Sequence, residues 1–423
     1  MSFLGLGVFI FFAYLISENK KRFPWRIVLS ALALQFFLAI FLLKITFVRT
    51  IFKEVAGGIV YILSFSDRGA EFLFGKLLDF EFAGFVLAFK ILPTIIFFSA
   101  LSALLYHFKI LPKIVALFAV VMRRALGLSG VECTAAAANV FLGQTEAPLL
   151  VRPYLEKMSR SELMSLMTGG MATIAGAVLA AYVDLLGGGD VALKTEFATH
   201  LLVASIISAP SALMIAKVIC PETKEITQSK NFSLKSNSSN MVDAVTQGTT
   251  EGLKLAVNVG AMLLVFTALM AMCNQMASVV LGDWMGLNSL AFELSEGLYE
   301  KFDLSFLLGL CFSPLSFLIG VTPEDCLTMG RLLGTKIFLN EFIAYQELAS
   351  FQSKSLFQDP KSIIVATYAL CGFSNFASIG IQVGGIGVLV PGRRPLLSQL
   401  AFKAMLGGTL ACLMTAAVAS ILI

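Results

Sequence analysis

Apolar runs of about 20 residues, the length that crosses a bilayer core, recur along most of this chain. They fall at about 2–16, 27–47, 84–106, 161–186, 197–220, 253–281, 362–390 and 395–423. The pattern predicts an all-α membrane protein with eight transmembrane helices. Polar residues interrupt it at two further places, Gly143-Gln144-Thr145-Glu146-Ala147-Pro148 and Leu339-Asn340-Glu341-Phe342. A carboxylate, an amide and a hydroxyl in a row are costly at membrane depth unless they face protein or a water-filled cavity. Gly143 and Pro148 supply the backbone break that a re-entrant turn needs. Two re-entrant hairpins with polar tips are therefore expected, and they point to a solute-binding site and to transport.

Each tip is followed by a long apolar span that is itself broken. The first break is Thr173-Ile174-Ala175-Gly176 and the second is Phe373-Ser374-Asn375-Phe376-Ala377-Ser378. Upstream, Gly127-Leu128-Ser129-Gly130-Val131-Glu132-Cys133 matches Gly320-Val321-Thr322-Pro323-Glu324-Asp325-Cys326 in its Gly, Ser/Thr and Cys positions, with Glu132 paired to Asp325. Entry, hairpin and broken helix thus come in the same order twice. Because the two copies enter from opposite sides, the repeat is inverted, the plan by which many secondary transporters bring discontinuous helices together near the midplane. The expected divisions are 1–105 (N-terminal spans and an interfacial helix, a scaffold), 106–220 (first repeat), 221–302 (a polar cytoplasmic loop and a long scaffold helix) and 303–423 (second repeat).

Composition agrees. Of 423 residues 57% are hydrophobic and 14% charged, with mean hydropathy +0.86, which excludes a soluble globular domain. A net charge of +4 spread over loops gives nucleic-acid binding no support. Lys20, Lys21, Arg22 and Arg26 follow the first apolar run rather than precede it. That predicts a retained helix with the N-terminus outside, and eight spans return the C-terminus to the same side. Lys354 and Lys361 break an otherwise consistent charge bias. Residues 54–82 mix charges with aromatics and are expected along the interface. Seven Cys lie in apolar stretches without metal-ligand spacing and read as small hydrophobes. Gly187-Gly188-Gly189-Asp190 with Asp184 superficially matches an intramembrane aspartyl protease pattern, but such proteases need their aspartates on different helices. Gly384-Gly385-Ile386-Gly387 has no strand before it and reads as helix open to close neighbours. A membrane hydrolase lacks a nucleophile beside a base, so no enzyme is expected.

Four motifs resemble the concentrative nucleoside transporter family, in its bacterial sodium-coupled form. They are Gly143 to Pro148, Gly169-Gly170-Met171-Ala172-Thr173-Ile174-Ala175-Gly176, Asn340-Glu341-Phe342-Ile343-Ala344-Tyr345 and Cys371-Gly372-Phe373-Ser374-Asn375. The resemblance runs from about residue 84 to the C-terminus. It implies a homotrimeric inner-membrane symporter that imports nucleosides by an elevator-like movement, coupled to sodium. The alternative is a proton-coupled symporter of nucleosides or nucleobases. The resemblance assigns Gln144, Thr145 and Glu146 to the edge of the base, Val178 and Phe373 to its faces, and Glu341, Asn375 and Ser378 to the ribose. For sodium it implies the Asn139 side chain, the Thr173 hydroxyl and the Leu142 and Ile174 carbonyls, with no other cofactor. The chemistry suits these residue types: amides and hydroxyls both donate and accept, aromatic rings stack on bases, and hard cations take oxygen ligands. Each has a plainer reading. Glu146 and Glu341 could pair with Lys336 or cap half-helices, Asn139 could bridge helices, and Thr173 could bond back to its own backbone.

Overall fold

The computed structural model describes residues 1–78, 86–223, 238–295 and 297–423, and within them all regular structure is helical. The end of the expected interfacial stretch (79–82), most of the polar loop 221–240 and Glu296 lie outside the described residues. In chain order the helices are α1 Ser2–Leu15, α2 Trp25–Leu43, α3 Thr46–Phe74, α4 Leu87–His107, α5 Ile110–Leu126, α6 Gly130–Asn139, α7 Ala147–Leu150, α8 Arg160–Ala172 and α9 Gly176–Gly187. They continue as α10 Val191–Ile219, α11 Met241–Ala277, α12 Asn288–Leu294, α13 Leu304–Leu318, α14 Cys326–Phe338, α15 Glu341–Ser353, α16 Pro360–Leu370, α17 Phe376–Leu389 and α18 Arg394–Leu422.

Helix starts follow capping chemistry. Ser129 and Ser159 form capping boxes with Glu132 and Glu162, each pair satisfying two orphan amides. Asp190, Asn240, Asp303, Asn340, Asp359 and Asn375 cap α10, α11, α13, α15, α16 and α17 with side-chain oxygens. In the Gly-rich link Gly188 takes φ +54°, Asp190 is a cap, and Asp184 pairs with Lys194. Both aspartates of the protease-like pattern are thus occupied by structure. Of the Gly-rich run in α17, a Cβ at Gly384 would meet open space, and only Gly385 and Gly387 look onto neighbours, at 3.7 and 3.3 Å. The expected close approach is therefore confined to part of it.

Six helical stretches among the described residues are long and apolar enough to cross a membrane: 25–43, 88–107, 160–187, 191–219, 241–284 and 391–422. Of the other expected spans, α1 has only 14 residues, and 362–390 is divided at 371–375 into α16 and α17. The span expected at 197–220 begins six residues earlier because Asp190 caps it, and that expected at 253–281 starts at Met241. Two helices were not anticipated. Both α5 and α13 lead into the repeat entries, and the glycines that end them, Gly127 and Gly320, have φ +68° and +92°. Their recurrence in the sequence thus marks the same left-handed turn twice. Helix α3 is amphipathic, burying Ala56, Val60, Leu63, Ser66 and Ala70 at helical spacing.

The interior is built on α10 and α18, which pack on each other and carry α8 and α16 beside them. Small residues let them approach: a Cβ at Gly407 would stand 3.2 Å from Thr168 and one at Gly408 2.8 Å from Met171, while Ser211 Oγ donates to the Ala411 carbonyl at 3.1 Å. A second unit pairs α4 with α11, where Gly248 and Gly252 press on the backbone of Ile96, Ser99 and Ala100. At the membrane-edge loop after α1, Glu18 receives Arg160 at 2.8 Å and Lys403 at 3.1 Å. Those partners hold its carboxyl near a pKa of about 2.

At the entry to α6, Glu132 accepts the Ser129 amide at 3.0 Å and pairs with Lys217 at 2.7 Å, both side chains being at most 1% exposed. Lys217 also donates to Ser161 Oγ at 2.9 Å, joining α6, α8 and α10. In the second repeat Asp325 accepts from Thr322 Oγ1 at 3.2 Å and from the Gln358 and Asp359 amides at 2.8 and 3.1 Å. Removing one member of a buried pair strands the other. Lys217→Met should therefore lower stability by about 3 kcal/mol or more, and adding Glu132→Gln should recover a large part of it. Thermal unfolding of the purified protein in detergent checks both.

Candidate functional site

The two hairpin tips and the two helix breaks meet around one cavity of about 430 Å³. Local chemistry places each edge of it. The first tip, residues 140–146, separates α6 from α7, and Pro148 in α7 restarts the helix. Its Phe141 carbonyl accepts the Gly176 amide at 3.1 Å, and a Cβ at Gly143 would stand 3.2 Å from Ala175. The tip is thereby clamped onto the break between α8 and α9. The second tip turns at Leu339 and Asn340, where the Asn340 side chain accepts the Ile343 amide at 2.9 Å and starts α15. The break between α16 and α17 ends at Asn375, whose Oδ1 accepts the Ser378 amide at 2.9 Å.

All eight side chains singled out for a solute line this cavity: Gln144, Thr145, Glu146, Val178, Glu341, Phe373, Asn375 and Ser378. Glu341, 6% exposed, accepts from Tyr182 Oη at 3.0 Å and from Asn375 Nδ2 at 2.7 Å. Gln144 Nε2 donates to Ser378 Oγ at 3.1 Å, so the first tip touches the second broken helix. Glu146 is half-buried and accepts the Gly143 amide at 3.4 Å. Thr145 is exposed to the cavity. Val178 and Phe373 add apolar surface.

The cation candidates gather one layer deeper. Asn139 is 1% exposed, and both its amide atoms lack a hydrogen-bond partner, a costly state for buried polar groups. Its Nδ2 lies 3.2 Å from where a Cβ of Gly169 would stand. Thr173 Oγ1 donates back to the Gly169 carbonyl at 2.9 Å, the self-bonding alternative raised above. A hydroxyl that donates there still presents its oxygen lone pairs. The Phe141–Gly176 bond brings the chain next to Leu142 beside that next to Ile174. The set is of neutral oxygens, a suitable donor set for a hard monovalent cation. Among the described residues no cluster of three His, Cys, Asp or Glu could hold a metal.

Several contributors escaped the reading of the sequence. Tyr182 lies buried in α9 and stacks on Tyr345 with ring centroids 4.2 Å apart. Gln382 of α17 donates to Gln144. Lys336, 1% exposed, donates to the Ala369 carbonyl at the end of α16 at 2.9 Å; no direct pair with Glu146 or Glu341 forms. Glu251, Lys254 and Asn258 of α11 line the opposite wall. Their spacing on one face of an apolar helix was a usable signal.

Comparison with known proteins followed from this geometry. Residues 4–77 and 200–420 match the families described as Na+ dependent nucleoside transporter N-terminus and C-terminus, and residues 88–189 match the one described as nucleoside recognition. A nucleoside permease NupC of Helicobacter pylori is 36% identical, with 100% of this chain and 97% of the relative covered. Sodium/nucleoside cotransporter 1 of Mus musculus is 36% identical across 100% of this chain and 63% of its own length, so this chain spans less than two thirds of that protein. The solved structure of CNTnw in an inward-facing substrate-bound state superposes with TM-score 0.89 at 35% identity, covering 100% of this chain and 98% of the other.

The meeting of the two breaks depends on one glycine. Gly372 has φ +141°, and a Cβ there would lie 2.9 Å from the Ala172 carbonyl carbon and from the Met171 oxygen, both backbone, and 2.6 Å from Cys412 Sγ. Gly372→Ala should cost about 2 kcal/mol or more. Gly384→Ala, facing open space in the same region, should be neutral or gain up to about 1 kcal/mol. Paired thermal melts read the difference.

Proposed function

The chain belongs to the Na+-dependent nucleoside transporter family, and from that premise we propose that it imports nucleosides with sodium by an elevator-type movement. The observation that carries the reading is the convergence of eight separately chosen side chains on one cavity, beside a buried amide without a partner. The base lies between Val178 and Phe373, with its edge read by Gln144, Thr145 and Glu146. Glu341, already oriented by Tyr182 and Asn375, accepts from ribose hydroxyls in charge-assisted bonds, with Asn375 and Ser378 completing the sugar site. Sodium is carried as co-substrate by the Asn139 side chain, the Thr173 hydroxyl and the Leu142 and Ile174 carbonyls. One inward sodium gains about 2.3 kcal/mol per 100 mV, roughly 50-fold accumulation.

The cavity wall divides by origin, which supports a moving part and a fixed part. Tips and breaks from 106–220 and 303–423 form one side; α4 and α11, from 1–105 and 221–302, form the other. The repeats travel together against that scaffold. Eight transmembrane spans with two re-entrant hairpins complete the topology, both termini facing out of the inner membrane. The outer face of α11, with Leu253, Val257, Leu264 and Met272 exposed, is the surface through which three copies form a homotrimer.

Two substitutions test the assignments in proteoliposome uptake. Glu341→Gln should reduce nucleoside uptake by roughly 10- to 100-fold, the worth of lost charged hydrogen bonds, while the folded oligomer persists in size-exclusion chromatography. Near-normal uptake would remove the ribose role, and nucleosides should compete for uptake where free bases do not. Thr173→Ala should raise the sodium concentration for half-maximal uptake about tenfold, equivalent to ~1.4 kcal/mol. An unchanged sodium dependence would count against the cation site.

A further inference from the structure

Gln382 lies outside the cavity wall but is wired to it. It is 1% exposed, and its Nε2 lies 3.0 Å from the Met167 carbonyl oxygen and 3.1 Å from the Gln144 amide. A backbone carbonyl can only accept, so the group facing it must be the –NH2 end of Gln382. That nitrogen has no acceptor capacity, so the Gln144 atom it meets must be Oε1. Gln144 is then left with Nε2 directed at Ser378 Oγ, 3.1 Å away. One fixed carbonyl in α8 thus determines the direction of two amides in series, an orientation that a lone glutamine on a hairpin tip would not have. Gly170 makes room for the arrangement: a Cβ there would stand 2.7 Å from Gln382 Nε2 and 3.0 Å from Gln144 Cβ.

The consequence concerns what the cavity offers. Gln144 and Ser378 both line it. Gln144 has one Nε2 hydrogen spent on Ser378 and one remaining. Its carbonyl is engaged by Gln382. Ser378, having accepted from Gln144, retains its hydroxyl hydrogen. This corner therefore presents donors.

We infer that Gln382 is a positioning residue that sets base preference, holding the Gln144 amide with its N–H toward the substrate so that an exocyclic oxo group is favoured over an amino group. The inference rests on the nucleoside reading above. Uridine and cytidine share a sugar and differ at one exocyclic position, oxo in the first and amino in the second, so their ratio of kcat/KM isolates the effect.

The experiment measures that ratio in proteoliposomes for the parent, Gln382→Glu, Gln382→Met and Gly170→Ala. The parent should favour uridine. Gln382→Glu replaces the donor by an acceptor, so Gln144 turns its N–H inward and shows its carbonyl to the substrate. The ratio should then move toward cytidine by about fivefold or more, the size of one neutral hydrogen bond. Gln382→Met and Gly170→Ala release the lock by different routes and should bring the ratio toward one. They keep the test decisive if the charged variant does not fold. A parent without uridine preference, or folded variants that slow both nucleosides in equal proportion, would overturn the inference. Absence of any nucleoside uptake by the parent would instead overturn the functional reading on which it stands.

Discussion

A helix that breaks inside a bilayer leaves amides and carbonyls that no water or lipid can satisfy, and the rest of this structure answers to that constraint. The Gly176 amide finds the Phe141 carbonyl. Asn340 and Asn375 cap the helices that restart at the second tip and second break. Lys336 takes the Ala369 carbonyl at the end of α16, and Gln382 takes that of Met167. Each bond that repairs a break also joins one discontinuous element to another. The outcome is a solute cavity whose walls are held together by the groups that the breaks exposed.

The two repeats solve the same problem with different chemistry. In the first, the entry carboxylate Glu132 is matched by the ammonium of Lys217; in the second, Asp325 is satisfied by a hydroxyl and two backbone amides. At the breaks the contrast reverses. The first keeps a neutral Asn139 amide without a partner, and the second holds a lysine ammonium. Inverted repeats preserve geometry, while burial and charge are free to diverge between the halves.

Much of this was legible in the chain. Polar tips within apolar surroundings marked the hairpins, because a carboxylate such as Glu146 or Glu341 has few other reasons to stand there. The recurrence of Gly127 and Gly320 marked a backbone conformation, since both adopt positive φ. The charged stripe on α11 was also readable, as three polar residues on one face of an apolar helix. Tyr182 and Gln382 were not. Tyr182 meets Glu341 across 159 positions and Gln382 meets Gln144 across 238, and no local pattern announces such partners. α5 and α13 were missed for another reason. The first is amphipathic with a charged end, and the second has only 15 residues, so neither has the length and uniform apolarity that identify a span.

The central claim is that an inward sodium gradient, acting through neutral oxygens at the first break, drives nucleosides through this cavity. Uptake of radiolabelled uridine into proteoliposomes, with an inward sodium gradient compared with an inward proton gradient at matched membrane potential, tests it most directly. The account predicts concentrative uptake with sodium alone and none with protons alone. Concentrative uptake driven by protons, with no requirement for sodium, would contradict it and move the coupling to a carboxylate.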